Sequence, residues 1–317
     1  MTDLEFYCID KYSQELLNMD VYTTQISPGV FSCKLRKFEL PKVIVGDQLI
    51  NTSIQFHAKI TGDCFHIILP CKNRDKVFVN GKSLLHGQIL VFAQHQEMFI
   101  QIPKNYPKHY ILVVSSEELA RYYGSENITI LKEAVEYQNF SESIFVNSYQ
   151  FLKNLRVIIE ELLNHGCLLN FIAVMNAQET LMCLLCDLLE LKNLTPNLPI
   201  ITQSRQLAII GRALNYIHKS STLNMTIPEV AKVSFCCVRS LEYSFKAILG
   251  MTPKQYLIKR RLQSIHLSLK EENGNTIATL VKMHGIVNQG RFAQDYFKFF
   301  NEYPSDTKKQ SQVVDYS

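Results

Sequence analysis

Two copies of one short helical pattern, set about 51 residues apart from Leu241 to Phe292, constrain this 317-residue chain more than any other feature. The first copy opens at TIPEVAK. Thr226, followed three residues later by Glu229, makes a capping box, and Pro228 sits in the first turn where a missing N–H does no harm; a helix is predicted to start at Ile227. After a break at 234–236, CVRSLEYSFKAIL places Val238, Leu241, Phe245, Ile248 and Leu249 on one face and leaves Arg239, Ser240, Glu242, Tyr243 and Lys246 on the others. Two helices joined by so short a turn form a helix-turn-helix. Gly250 then offers a C-cap, and Thr252, Pro253 and Gln255 launch a longer helix with the apolar stripe Tyr256, Leu257, Leu262, Ile265 and Leu269. Its 18 residues from Pro253 to Lys270 span about 27 Å, close to the ~34 Å between successive major-groove faces of B-DNA, so it fits the role of a spacer. NTIATLVKMHG and VNQGRFAQDYFKFF repeat the pair, with Phe292, Tyr296 and Phe299 inward and Gln289, Arg291, Gln294 and Lys298 outward.

Charge is divided along the chain. Gln203 to Lys309 carries 16 Lys and Arg against 7 Asp and Glu, net +9, whereas residues 1–202 carry 17 against 21, net −4. A basic half suits a phosphate-binding surface, because neutralised phosphates release condensed counterions. No basic segment followed by an apolar core opens the sequence, and no uncharged apolar run reaches the ~18 residues of a membrane span, so a cytoplasmic chain without membrane contact is expected. Nine cysteines without framework spacing suit reduced thiols, and Cys183 and Cys186 lie in an apolar helical segment that favours burial over redox or metal use.

From Val21 to Ser115 the pattern is strand-like. Ile54, Phe56, Ala58 and Ile60 alternate onto one face, as do Met98, Ile100 and Ile102, and Asn80-Gly81 is the strongest short hairpin signal because a type I′ turn needs positive φ at both positions. Many short strands at near-even spacing predict an antiparallel barrel or sandwich. His57, His66, His86, His95 and His109 lack the converging spacing of a metal site, so no metal and no cofactor is expected. A small-molecule cavity fits a small barrel; Arg36 would be an anchor for an acidic effector, against the plainer reading of a solvated strand face. Helices follow Ser115. One buries Leu152, Leu155, Ile159 and Leu162 and ends at Gly166 as a C′ residue; the next sets Val174, Ala177, Leu181, Leu184, Leu188 and Leu191 at heptad spacing. Val174, Leu181, Leu184 and Leu188 are candidate homodimer contacts, with packing against the chain's own barrel as the other reading.

Residues 214–269 and HGIVNQGRFAQDYFKFFNEYPSD resemble the DNA-binding domain of AraC/XylS-type transcription regulators; the last stretch is most similar to the ethanolamine-utilisation regulator branch. Against the family pattern, Asn301 stands for the usual Gly, Ile286 for Phe, Val281 for Ala and Cys237 for a capping Ser. The resemblance implies an α+β chain: a cupin-like antiparallel β-barrel with helices, followed by an all-α tandem helix-turn-helix domain. Expected boundaries are 1–195 for sensing or dimerisation (barrel to about 115, helices 116–192), a linker at 196–204, the DNA-binding domain at 205–309 and a flexible tail at 310–317. It further implies a sequence-specific regulator, not an enzyme, with double-stranded DNA, a small-molecule effector and, for an activator, RNA polymerase as partners. DNA-contacting candidates are Arg239, Ser240, Glu242, Tyr243, Lys246, Gln289, Gly290, Arg291, Gln294 and Lys298. The alternatives are a barrel enzyme with a vestigial DNA-binding tail, and a DNA-repair methyltransferase, whose clustered zinc-binding cysteines this chain lacks.

Overall fold

The computed structural model describes residues 2–16, 18–69, 77–83, 88–137, 144–145, 149–189, 201–271 and 275–314. In chain order these form β1 (Thr2–Phe6), α1 (Ile9–Gln14), β2 (Met19–Gln25), β3 (Cys33–Glu39), β4 (Val43–Ile50), β5 (Ile54–Ile60), β6 (Cys64–Leu69), β7 (Phe78–Val79), β8 (Lys82–Ser83), β9 (Gln88–Phe92), β10 (Glu97–Ile102) and β11 (Tyr106–Ser115). Then come α2 (Ser116–Tyr123), α3 (Ser125–Tyr137), β12 (Ile144–Phe145), α4 (Tyr149–His165) and α5 (Phe171–Leu188). The C-terminal helices are α6 (Ile201–Lys219), α7 (Ile227–Val233), α8 (Val238–Leu249), α9 (Pro253–Lys270), α10 (Ile277–Met283), α11 (Gln289–Phe300) and α12 (Pro304–Val314). His86, Leu191 and the linker prolines Pro196 and Pro199 lie outside the described residues.

Strand alternation sorts side chains into layers. One antiparallel sheet runs β1-β3-β4-β11-β6-β9-β12 and the other β2-β5-β10-β7-β8. On the first sheet, Val43, Val45, Phe65, Ile67, Tyr110, Leu112 and Val114 pack outward against Leu155, Ile159, Leu162 and Leu185 of α4 and α5. Their alternates Ile50, Cys64, Leu90 and Phe92 meet Phe56, Ala58, Met98, Ile100 and Ile102 of the second sheet. The expected barrel is therefore, among the described residues, an open two-sheet sandwich. A barrel is closed by pairing its edges, and here the β2 edge is satisfied another way. The Gln25 N–H donates to Gln263 Oε1 at 3.1 Å, and Gln263 Nε2 donates back to the Thr23 carbonyl at 3.2 Å. The side-chain amide of one α9 residue thus takes the place of a neighbouring peptide. Lys259 Nζ adds a bond to the Ile26 carbonyl at 2.6 Å.

Several helical features differ from the sequence expectation. Gly166 follows α4 in a 3-10 turn and is not among the positive-φ glycines; a Cβ there would lie 2.4 Å from the Phe38 ring, so glycine serves close packing rather than a left-handed cap. The α5 seam is turned inward: Leu181 is fully buried in the helix–sheet core, with Val174 and Leu184 packed partly buried against it. That corrects Leu181 as a dimer contact, because a residue whose apolar surface is consumed internally has none left for a second copy; of Leu188 the backbone alone is described. Arg36 is not poised for an effector either. Its guanidinium pairs with Asp47 and reaches Glu160 at 3.5 Å and Asn164 at 2.7 Å, tying α4 to the sheet. Helix α6 begins at Ile201, inside the expected linker, and α12 carries regular structure to Val314, into the expected tail.

The outer face of the second sheet carries the C-terminal helices. Tyr22 stacks on His218 of α6, with ring centroids 4.6 Å apart, and Thr24 Oγ1 lies 2.8 Å from the Tyr256 hydroxyl, which also meets His218 Nε2 at 2.8 Å. His57 Nε2 contacts Glu97 Oε1 at 2.5 Å, and Asn215 Nδ2 donates to that same oxygen at 3.5 Å. Phe99 of β10 is buried in the same cluster as Ile210, Leu214, Phe245 and Ile248. Burial also holds several imidazoles neutral: it pushes His66 and His109 down to about 4, His266 down to about 3, and lowers His218 and His284, the last two helped by nearby arginine charge. The unfolded chain binds these protons near pH 6.5 and the folded chain does not, so the stability they contribute is complete above that pH and lost on acidification. We expect urea unfolding at about pH 5 to be easier than at pH 7.5 by ~2 kcal/mol for each of His66 and His109, and a flat profile across that window would contradict the assignment.

Candidate nucleic-acid interface

The repeat seen in sequence returns in the structure, bond for bond in its two turns. Thr226 caps α7 with a complete capping box to Glu229, and Thr252 caps α9 with another to Gln255. In the first turn Phe235 N–H donates to the Lys232 carbonyl and Cys236 N–H to the Ala231 carbonyl; in the second, Gly285 and Ile286 make the matching bonds to Lys282 and Val281. The paired positions lie 50 residues apart up to the turn, and Leu241 and Phe292 lie 51 apart after it, so one residue has been added at the turn–helix junction. The turn needs a left-handed residue, supplied by Gly285 at φ 68° and by Phe235 at φ 54°. Phe235 is held there, largely exposed, beneath the Arg212 guanidinium, 5.6 Å from its ring centroid.

Each motif has its own core. Leu241, Phe245, Ile248, Tyr256 and Leu257 belong to the first, and Leu262, Ile265, Leu269, Phe292, Tyr296 and Phe299 to the second, so α9 gives its N-terminal half to one core and its C-terminal half to the other. The Tyr296 hydroxyl lies 2.6 Å from His266 Nδ1 and 2.9 Å from Thr307 Oγ1, which docks α12 beneath the second motif. The departures at 281, 286 and 301 have visible accommodations. Val281 is buried and Ile286 packs partly buried in the second core. Asn301 closes α11 in the left-handed region at φ 60°, which asparagine tolerates better than other side chains. At position 237 the hydroxyl cap is lost, and the Cys237 thiol lies 3.2 Å from Ser240 Oγ. That contact and the backbone N–H groups of α8 lower the thiol pKa.

Of the candidate contact residues, Arg239, Glu242, Tyr243 and Lys246 are exposed on α8, and Gln289, Gly290, Arg291, Gln294 and Lys298 on α11; Ser240 is half-buried beside Cys237. The exposed residues share the solvent side of each second helix, opposite Leu241 and Phe245 in one and Phe292 and Tyr296 in the other. Arg291 is 3.7 Å from Asp295, a loose i,i+4 pair that leaves its guanidinium in solvent. Sequence reasoning passed over Val287, which precedes α11 and is 97% exposed, and the α9 residues Lys259 and Gln263, which hold the sandwich. No group of three or more His, Cys, Asp or Glu converges among the described residues, and Cys183 and Cys186 are free thiols, the latter pushed by burial to about 11. No helix among them is long and apolar enough to cross a membrane.

Two capped helix pairs on a common spacer, each presenting a polar and basic second helix, are a tandem helix-turn-helix. Residues 230–310 match a family model described as a helix-turn-helix domain. A XylDLEGF operon transcriptional activator of Pseudomonas putida is 33% identical over 101 residues, which are 31% of this chain and 32% of that protein. The regulatory protein HrpB of Ralstonia nicotianae is 28% identical over 139 residues, 41% of this chain and 29% of that protein. The chain thus spans about a third of the curated relatives it matches. Among solved structures, the AraC-like transcriptional activator CuxR aligns over 90% of this chain and 100% of its own at 13% identity, with a TM-score of 0.44. Residues 230–310 are a helix-turn-helix domain, similar in sequence to that of XylDLEGF operon transcriptional activators. The ethanolamine-utilisation branch gains no support from these matches.

Proposed function

We propose that the chain is a cytoplasmic, sequence-specific DNA-binding transcription regulator and not an enzyme, with the sandwich as its sensing domain and a small molecule as effector. The observation that carries this reading is the pair of exposed second helices, α8 and α11, each lifted on its own core and tied by one spacer helix. Base reading falls to Arg239, Glu242 and Tyr243 in the first motif and Gln289, Gly290 and Gln294 in the second, because the N-terminal part of the second helix is what meets base edges. Arg239 can donate two bonds to guanine O6 and N7, and Gln289 and Gln294 can pair likewise with adenine. Ser240, Lys246, Arg291 and Lys298 are assigned to the backbone and the helix flanks. An activator of this design would engage RNA polymerase. A homodimer would use the turn before α5 and the exposed start of that helix, where Leu168, Phe171 and Ile172 are in solvent, rather than the inward seam.

The full chain is expected to bind duplex DNA with affinity that falls steeply as salt rises. Selection on randomised operators should then show Arg239→Ala relaxing preference at one position, a loss worth about 1–3 kcal/mol of discrimination. No binding at low salt would end the reading, and uniform weakening with an unchanged profile would move Arg239 to the phosphate-contacting set. Sedimentation of the same protein at micromolar concentration tests the dimer, which a monomer would exclude.

A further inference from the structure

Between the two sheets lies a cavity of about 60 Å³. Its wall is apolar over most of its extent, with Val21, Phe56, Phe92, Met98 and Ile100 among the lining, but four lining side chains carry polar atoms: Gln48, His66, Tyr106 and His109. All four are more than nine-tenths buried. Buried polar groups in folded proteins almost always find partners. Here His66 Nε2 and His109 Nδ1 have none.

The tautomer of His109 follows from its neighbours. The Tyr12 O–H donates to Gln48 Oε1, so the Gln48 amide N–H faces His109 Nε2, at 2.6 Å. A neutral imidazole that accepts at Nε2 carries its proton on Nδ1, which makes the unpartnered atom a donor. Burial keeps both rings neutral, and no Lys or Arg lines the cavity among the described residues. An anion placed there would lose its hydration without a countercharge, whereas one hydroxyl or carbonyl oxygen would satisfy the open imidazole positions.

We propose that this cavity is a binding site for a small uncharged molecule with an apolar body and a single hydroxyl or carbonyl head held by His66 and His109. The cavity is smaller than the ~150 Å³ that a benzene-sized guest occupies, so a guest of that size enters only as Met19 and Met98, which line the same space, repack around it. The site is also placed to be read by the other domain, a consequence that rests on the proposed regulatory function. Val21, Phe56, Ala58, Met98 and Ile100 face the cavity, while their immediate strand neighbours Tyr22, His57, Glu97 and Phe99 touch α6 or the first helix-turn-helix core. A side chain displaced on one face of such a strand shifts its alternates on the other.

The test uses the full chain with phenol, benzene and benzoate as probes, read by calorimetry and thermal shift at neutral pH without DNA. Phenol is expected to bind saturably, benzene at least tenfold more weakly for want of the head group's hydrogen bonds, and benzoate at least tenfold more weakly than phenol. His66→Leu should weaken phenol severalfold, with the His109 bond still in place, and leave benzene unchanged. Ala58→Leu, which fills the space with apolar atoms, should abolish both while keeping the protein folded by circular dichroism, so a folding failure of the first variant does not leave the matter open. Benzoate binding as tightly as phenol, no saturable binding of phenol or benzene, or phenol binding undiminished in Ala58→Leu would each overturn the proposal. A chain that takes phenol but not duplex DNA would keep this site and lose the regulatory reading; a chain that binds DNA but none of the probes would do the reverse.

Discussion

Gly81→Ala should separate the sandwich from the first helix-turn-helix motif. Gly81 occupies the second central position of the β7–β8 turn at φ +83°, and a Cβ built there would lie 2.2 Å from the Ala247 carbonyl oxygen and 3.1 Å from the Ile248 Cα of α8. Both obstacles are backbone, so neither can rotate away. Asn80 fixes the turn from the other side: its N–H donates to the Phe99 carbonyl at 2.8 Å and its Oδ1 accepts from the Phe99 N–H at 3.0 Å. Left-handed backbone alone costs an alanine roughly 1–2 kcal/mol; the collision has to be relieved by moving α8 off the sheet. Gly124→Ala is the control for positive φ, because its φ of +90° also disfavours an alanine while the nearest atom to its Cβ is a side-chain nitrogen 3.7 Å away. Small-angle scattering should show a larger radius of gyration for Gly81→Ala and no change for Gly124→Ala, and thermal unfolding of the first should split into two steps. An unchanged scattering profile for a folded Gly81→Ala protein would refute the docking role.

That position shows what sequence discloses and what it withholds. Asn80-Gly81 announced a type I′ hairpin, because the φ requirement is local and only a few residue types meet it. The second reason for glycine, the passage of a helix terminus against the turn, joins residues more than 160 positions apart and leaves no periodic mark. The same division runs through the chain. The capping boxes at Thr226 and Thr252, the stripes of α8, α9 and α11 and the alternation of β5 and β10 were all legible, since each is a relation between near neighbours. The heptad spacing of α5 was seen, but its partner was not: a seam of leucines looks alike whether it meets a second chain or Phe65 and Val114 of the same one. Gln263 looked like one more polar residue on an amphipathic helix, and its role as a stand-in for a missing strand appears only when β2 lies beside it. The spacing of the cavity histidines excludes a metal site and says nothing more; their burial with an open ring nitrogen belongs to the tertiary structure.

Phe292→Ala should dismantle the second helix-turn-helix motif and leave the first standing. Phe292 is buried in the cluster formed by Leu280, Val281, Tyr296 and Phe299 with the C-terminal half of α9, and its ring centroid is 5.5 Å from that of Tyr296. Truncating a buried phenylalanine typically costs about 3–5 kcal/mol, the transfer loss plus the cavity left behind. A motif this small, with one such cluster and two short helices, has little stability beyond that to spare. The first motif draws on a different cluster, anchored by Phe99 and by the α6 residues Ile210 and Leu214, none of which belongs to the second. Hydrogen exchange should therefore show the amides of α10 and α11 losing protection by two orders of magnitude or more, as about 3 kcal/mol requires, while those of α6 and α8 keep theirs. The DNA footprint should contract to the half-site read by α8, with a correspondingly shallower salt dependence as phosphate contacts are lost. Equal loss of protection in α8 and α11 would mean that α9 couples the two motifs into one cooperative unit, and the picture of two independently cored readers on a shared spacer would have to be given up.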